Sequence, residues 1–294
     1  MNSKSSATEP SAGTWKETFT RRLRRLRDPI SIYHQLKTRP NSESQYRSRI
    51  HTSTTAQNSL EADALAHSGQ PFTKSWHYLE FYNERLGEIA ERSRNGSLPA
   101  PLRILEIGVW KGGSLQLWRK LFGESAIIYG IDIDEACLHL PDPGAVVRIG
   151  SQTDPKFLNR VVQEMGGVDI VIDDGSHRCK DVIDSFHTLF LLMSQGGYYF
   201  VEDLHTSYWP QWQGGLRRPD TSIEFFKDFA DVVNSDYFQK SPTRSGEVPE
   251  PRSIYSVEFV DSIALVRKKM RKPAHIFYGG VHDPDYLAFW GASQ

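Results

Sequence analysis

Two short acidic runs carry the residue types that could do chemistry in this chain. Asp173-Asp174-Gly175-Ser176-His177 and Glu202-Asp203 place carboxylates and an imidazole in two turns. Carboxylates gathered at one place raise each other's pKa unless a cation compensates them. A hard divalent ion with oxygen ligands is the natural compensation, and Mg2+ keeps open positions for water or substrate. His177 stands three residues from Asp174, so it can flank such an ion and act as a general base, a role suited to imidazole. A third feature lies upstream, where Glu106 precedes a turn containing Gly108, Gly112, Gly113 and Ser114. That turn is wider than Gly-x-Gly-x-x-Gly, the spacing that seats a pyrophosphate on a helix N-terminus. A wide turn behind a carboxylate suits a cationic, phosphate-free ligand with an amino-acid portion, and S-adenosylmethionine fits that description.

All three features fall at the ends of predicted strands. The apolar run of Leu102, Ile104, Leu105 and Ile107 reads as a buried strand, and a helical pattern follows with Leu115, Trp118, Leu121 and Phe122. Gly123 is placed to cap that helix. Further strands are predicted over 126–131, 145–149, 168–172 and 198–201. Between them, one helix starts on Asp154-Pro155, an N-cap followed by a first-turn proline, and another covers 178–193. This alternation predicts an α/β fold with a doubly wound parallel sheet. Ligands of such sheets bind beyond the carboxyl ends of the strands. Asp132, closing the second strand, is placed to accept ribose hydroxyls, and Gln152, after the third, to meet an adenine edge. The fourth and fifth strands are neighbours about 4.8 Å apart, so the two acidic runs converge.

The rest of the chain supplies covers and connections. Trp76, Leu79, Tyr82, Leu86 and Ile89 form an amphipathic stripe, with His77 and Tyr78 on the same helix, which ends before Asn95-Gly96. A helix just ahead of the first strand can cover the ligand end of the sheet. The segment 204–220, with Tyr208, Trp209 and Trp212, reads as a loop over the site, followed by a helix at 221–235. Strands at about 253–259 and 262–267 are too close for a helical crossover and form an antiparallel hairpin. Upstream, Trp15, Phe19, Leu23, Leu26 and Ile30 recur at helical spacing, and five of the seven residues from 21 to 27 are arginine. This is a basic amphipathic helix, read as a docking helix with a solvated face. A polar linker is expected over 38–58, and an aromatic tail follows 272.

Composition narrows the class. The chain has 294 residues, 38% of them hydrophobic, and a net charge of −1, which offers no global field for nucleic acid or a membrane surface. Neither of its two cysteines has a zinc or CxxC spacing. No apolar run approaches the roughly 20 residues of a membrane span, and the first residues lack a signal-peptide core. A soluble, cytoplasmic enzyme is the expectation.

With these residues in view, the chain resembles the class I S-adenosylmethionine-dependent methyltransferases. Within that class it is most similar to the metal-dependent macrolide-sugar O-methyltransferases of the mycinamicin and macrocin type and to their cephalosporin-hydroxylase-like relatives. The resemblance covers roughly 72–267 and is carried by 105–114, 129–134, 150–155, 172–177 and 201–209. It implies a Rossmann-like sheet of seven strands in the order 3-2-1-4-5-7-6, the last strand antiparallel. Residues 1–71 are then an N-terminal extension, partly disordered, and 268–294 a C-terminal tail. By position it assigns Mg2+ to Asp174, Glu202 and Asp203, and the catalytic base to His177. S-adenosylmethionine is expected on Glu106, Gly108, Gly112, Gly113, Ser114, Asp132, Gln152 and Asp173. The expected substrate is a sugar hydroxyl of a glycosylated small molecule or saccharide, and the expected assembly a homo-oligomer. Two other readings are an Fe2+ oxidoreductase on the same scaffold and a non-enzymatic nucleoside- or nucleic-acid-binding protein. Oxygen ligands without a second histidine favour Mg2+ over iron, and retention of His177 with the acids argues against a binding protein.

Overall fold

A computed structural model of the protein describes residues 55–238 and 250–273. The basic helix expected at 14–30, most of the 38–58 linker and the aromatic tail beyond 273 lie outside the described residues. Two helices lead into the sheet: α1 (Ser59–Leu65) and α2 (Trp76–Arg94). There follow β1 (Arg103–Ile107), α3 (Gly113–Phe122), β2 (Ile127–Asp132), β3 (Val146–Ile149), α4 (Pro155–Met165), β4 (Val168–Asp173), α5 (Cys179–Leu192) and β5 (Met193–Val201). The described chain closes with α6 (Ser222–Lys227), α7 (Phe229–Val233), β6 (Ile254–Val260) and β7 (Ile263–Lys268). The strands form one seven-stranded sheet in the order β3-β2-β1-β4-β5-β7-β6. β1 to β5 pair in parallel, while β7 runs antiparallel to both β5 and β6. This is the expected Rossmann-like seven-stranded sheet.

Strand side chains alternate between two cores because successive Cβ atoms point to opposite faces. Leu105, Ile107, Ile131, Val171 and Tyr199 pack with Phe157, Phe186, Phe190, Phe226 and Phe229 of α4 to α7. Ile104, Ile128, Ile170, Ile172 and Phe200 pack on the other face with Leu60, Tyr82, Leu86, Trp118 and Phe122 of α1 to α3. Local signals set several boundaries as read. Gly123 ends α3 at φ 82°, and the Asp154 carboxylate caps α4 by accepting from the amides of Lys156 and Phe157. Three boundaries differ from expectation. α1 was not foreseen, although Asn58 caps it and Leu60 is fully buried. β5 begins at Met193, directly after α5, and not at 198. The helix expected over 221–235 is broken at Asp228 into α6 and α7, so that Phe226 and Phe229 both reach the core. Among the described residues, no helix is long and apolar enough to cross a membrane.

The order places β1 and β4, whose crossovers leave in opposite directions, side by side at the centre. That is the switch point outside which open α/β sheets bind ligands.

Candidate active site

The site is built where the turns after β1, β4 and β5 meet. Backbone pairing runs one residue past the strands: the Asp174 amide donates to the Ile107 carbonyl at 3.0 Å, and the Glu202 amide to the Asp173 carbonyl at 2.9 Å. Gly108, at φ 93°, lies so close to the β4 turn that a Cβ there would sit 2.1 Å from the Asp174 carbonyl oxygen. A Cβ at Gly113 would sit 2.2 Å from the Gln70 carbonyl, so the strap from Gln70 to Lys74 lies directly on the start of α3. These two glycines are needed for close approach. Three bulkier residues in these same turns, Trp110 (φ 48°), His177 (φ 56°) and Asp203 (φ 54°), are held in the left-handed region. Such strain concentrates at functional sites. The strap and the turns border a small open cleft of about 60 Å3 lined by Phe72, Lys74, Gly108, Trp110, Ser114 and Asp174.

On the β1–β3 side, the residues singled out from sequence are held by donors close at hand. Glu106 is fully buried and accepts from Ser114 Oγ at 2.8 Å and Trp118 Nε1 at 3.0 Å, both on α3. Burial pushes its carboxyl above the usual glutamate range. Asp132 accepts from the backbone amides of Val109 and Trp110 on one oxygen and of Asp134 on the other. Burial opposes its ionisation, but these amides outweigh it and hold the carboxyl below the usual range. Asp132 therefore clamps the glycine turn containing Gly112 at its mouth. Gln152 is buried, accepts the Ser176 amide at 2.8 Å and lies 3.3 Å from Asp173 Oδ1, tying the β3 turn to the β4 turn. Asp173 is itself buried beneath the site, where Ser185 Oγ donates at 2.6 Å and Tyr199 OH at 3.2 Å. Burial pushes its carboxyl up to about 6.

On the β4–β5 side, Asp174, His177, Glu202 and Asp203 come together, with an unforeseen partner at their centre. The Lys74 ammonium, almost fully buried, donates to Asp174 Oδ2 at 2.6 Å and Glu202 Oε1 at 2.7 Å, and lies 3.5 Å from Glu106 Oε1. Burial disfavours that charge, yet the three carboxylates outweigh it and hold the lysine well above its ordinary pKa. Glu202 is also pushed up, by burial and by the charge of Asp174. The lysine is thus held charged among the acids, while burial and the neighbouring Asp174 disfavour a charged Glu202. His177 Nε2 lies 3.9 Å from Asp174 Oδ1 and 3.7 Å from Asp203 Oδ2. Asp174, His177 and Asp203 can each offer one ligand atom within 4.8 Å of the others, whereas Glu202 turns toward Lys74 and Tyr82. Two carboxylates and an imidazole, with a third carboxylate alongside, form an oxygen-rich donor set that fits a divalent cation.

The residues sequence reasoning missed all come from ahead of β1. Lys74 sits in an unremarkable Phe-Thr-Lys-Ser run, and Tyr78 and Tyr82 were read as part of a packing helix. Their spacing of four was the available signal, since it puts residues on one helix face. His77 bonds the Asp261 carbonyl in the β6–β7 turn, away from the acids. His205, beside Asp203, is bonded to Ser262 Oγ, and burial lowers its pKa.

Comparison with known proteins gives this site a context. No protein-family model matches the chain. The 8-demethyl-8-alpha-L-rhamnosyl tetracenomycin-C 2'-O-methyltransferase of Streptomyces olivaceus is 36% identical over 188 residues, 60% of this chain and 47% of that protein. The mycinamicin VI 2''-O-methyltransferase of Micromonospora griseorubida is 33% identical over 221 residues, 71% of this chain and 53% of that protein. Among solved structures, the MycE methyltransferase of the mycinamycin biosynthetic pathway, in complex with Mg and SAH, superposes with a TM-score of 0.60 at 30% identity. It covers 74% of this chain and 55% of that one. The chain thus spans about half the length of the curated relatives it matches. Over that shared half, in sequence and in fold, it is a homologue of the O-methyltransferases that act on sugars of glycosylated natural products.

Proposed function

We propose that the protein is an S-adenosylmethionine- and Mg2+-dependent O-methyltransferase acting on a sugar hydroxyl of a glycosylated small molecule. The observation that carries this reading is the contact between the two halves of the site. Gly108 brings the glycine turn against Asp174, so a ligand on the turn adjoins the acids at the ends of β4 and β5. Glu106, Gly108, Gly112, Gly113 and Ser114 would receive the amino-acid end of the cofactor. Asp132, Gln152 and Asp173 would shape its nucleoside end, largely through the hydrogen bonds that hold their own turns. Asp174, Glu202 and Asp203 would hold Mg2+, with His177 beside them. When bound, that ion lowers the pKa of a chelated sugar hydroxyl and fixes its direction.

The chain's own residues do the rest. The His177 ring, at the open edge of the cluster and within 4 Å of two carboxylates, takes the hydroxyl proton on Nε2. The freed oxygen attacks the sulfonium methyl, and the carbon–sulfur bond breaks to leave S-adenosylhomocysteine. Alignment of the two substrates supplies much of the acceleration. The two free, buried cysteines suit a cytoplasmic enzyme, and the net charge of −1 suits a small glycoside better than a polyanion.

The test is methyl transfer from labelled S-adenosylmethionine to a panel of rhamnosylated and macrolide glycosides, with their aglycones as controls. Transfer to a glycoside that EDTA abolishes and Mg2+ restores is the expected result. Transfer indifferent to chelation, or directed to aglycones alone, overturns the reading.

A further inference from the structure

Three donors ahead of β1 meet the acids in an ordered way. Lys74 lies on the strap into α2, and Tyr78 and Tyr82 follow at intervals of four, the two tyrosines one turn apart on the helix. Tyr82 OH donates to Glu202 Oε1 at 2.7 Å, the oxygen that Lys74 also holds. Tyr78 OH lies 2.9 Å from Asp203 Oδ1 and 3.1 Å from the Ser262 carbonyl, to both of which it can donate, and it accepts the Asp203 amide at 3.2 Å. It thereby holds both the side chain and the left-handed backbone of Asp203. Lys74 holds Asp174 by Oδ2. The donors take Oδ2 of Asp174 and Oδ1 of Asp203, and the opposite oxygens, Oδ1 and Oδ2, are those nearest His177 Nε2, at 3.9 and 3.7 Å.

We infer that Lys74, Tyr78 and Tyr82 are the positioning residues of the acidic centre, a single stripe of donors that ties one oxygen each of Asp174, Glu202 and Asp203 to α2 and its strap and leaves the other oxygens of Asp174 and Asp203 directed toward a bound divalent cation. This rests on the metal reading proposed above. Both tyrosine rings are buried to 1% exposure or less, so their rotamers are set by packing and the hydroxyls arrive at fixed points. Hydrogen-bond partners of metal-ligating carboxylates orient them and tune their affinity. The two tyrosines are also neutral donors. Removing a hydroxyl changes the aim of a carboxylate without changing the charge of the site.

That neutrality makes the test clean. Metal-stripped protein, without cofactor, is titrated calorimetrically with MnCl2 for the wild type, Tyr78→Phe and Tyr82→Phe, with S-adenosylhomocysteine affinity measured in parallel. Phenylalanine keeps the ring packing; thermal melts verify folding, and either variant carries the test if the other does not fold. Each substitution is expected to raise the Mn2+ Kd about 10-fold or more while S-adenosylhomocysteine affinity stays within about twofold. The electron paramagnetic resonance spectrum of bound Mn2+ should change with it, which a packing role would not produce. Tyr129→Phe, which removes a hydroxyl bonded to Glu164 outside the site, is expected to leave Mn2+ affinity unchanged. Folded tyrosine variants that bind Mn2+ as tightly as the wild type, or an equal loss in Tyr129→Phe, overturn the positioning role. A wild type that takes up no Mn2+ overturns the metal reading and this inference with it.

Discussion

The two sides of the carboxyl end of the sheet solve the same problem, a buried carboxylate, in different ways. On the β1–β3 side each acid is satisfied by its neighbours in the chain. Ser114 and Trp118 reach Glu106 from the next helix, and the amides of Val109, Trp110 and Asp134 reach Asp132. On the β4–β5 side the donors arrive from far away: Lys74 is 100 residues from Asp174 and 128 from Glu202, and Tyr78 is 125 from Asp203. The first side is held by side chains of α3 at Glu106 and by backbone amides at Asp132, with Lys74 reaching Glu106 only at 3.5 Å. The second gathers Asp174, Glu202 and Asp203 around donors brought from α2 and its strap, with His177 within 4 Å of two of them. On the proposed reading, the cofactor side and the metal side thus differ in whether their donors come from neighbouring or from distant chain.

The largest effect that would sharpen this contrast is expected at His177. Alanine there should lower kcat by about 10^2- to 10^4-fold, the usual contribution of a general base, with Mn2+ and S-adenosylhomocysteine affinities near the wild type. Alanine at Asp174 should instead weaken Mn2+ binding directly. Steady-state kinetics and calorimetry on the two variants decide the matter. A loss of Mn2+ affinity at His177→Ala equal to that at Asp174→Ala would move the histidine into the ligand set, where its spacing from Asp174 and Asp203 would also allow it to sit.

A smaller effect, but one that joins the two sides, is expected at Gly108. Alanine would meet both the left-handed φ and the 2.1 Å approach to the Asp174 carbonyl. The expected cost is about 1–3 kcal/mol of stability, read as a lower Tm, with both S-adenosylhomocysteine and Mn2+ binding weakened because the two turns are pushed apart. Loss of only one ligand would show that the sides are independent.

The smallest effect concerns Asp173, beneath the junction. Its carboxyl is raised by burial to about 6 from 3.8, so the folded state holds a proton that the unfolded state releases earlier. Stability from this group is present at low pH and is lost as pH rises through about 6. Asp173→Asn should lack that loss. The difference in Tm between variant and wild type should therefore grow in the variant's favour by a few degrees from about pH 4 to pH 6. A difference that is flat with pH would mean that the carboxylate is fully stabilised by Ser185 and Tyr199.

The same contrast between near and distant partners explains what could be read in the sequence. The alternation of strands and helices, the glycine turn, the Asp154-Pro155 start of α4 and the acids at the strand ends are short-range features, and the described structure has each in its expected place, whereas the strand order followed only from the resemblance. Lys74 has no such local mark. Its role exists only because the strap folds onto Gly113 and delivers the ammonium between β1, β4 and β5. The same holds for Glu202, whose turn toward Lys74 and Tyr82 depends on the position of α2. The break at Asp228 is a packing decision: Phe226 and Phe229 both enter the core beside Phe186. An uninterrupted helical pattern cannot announce it.

The left-handed residues at Trp110, His177 and Asp203 carry an evolutionary consequence. Glycine adopts that backbone freely, whereas other residues sacrifice about 1–2 kcal/mol at each such position. Three such positions sum to at most about 3–6 kcal/mol, a sizeable share of the roughly 5–15 kcal/mol by which domains remain folded. Random drift under selection for foldability alone would replace these side chains with glycine or asparagine. This chain has a tryptophan, a histidine and an aspartate there, and relaxing all three to glycine is expected to raise Tm while loosening the turns beside the acids.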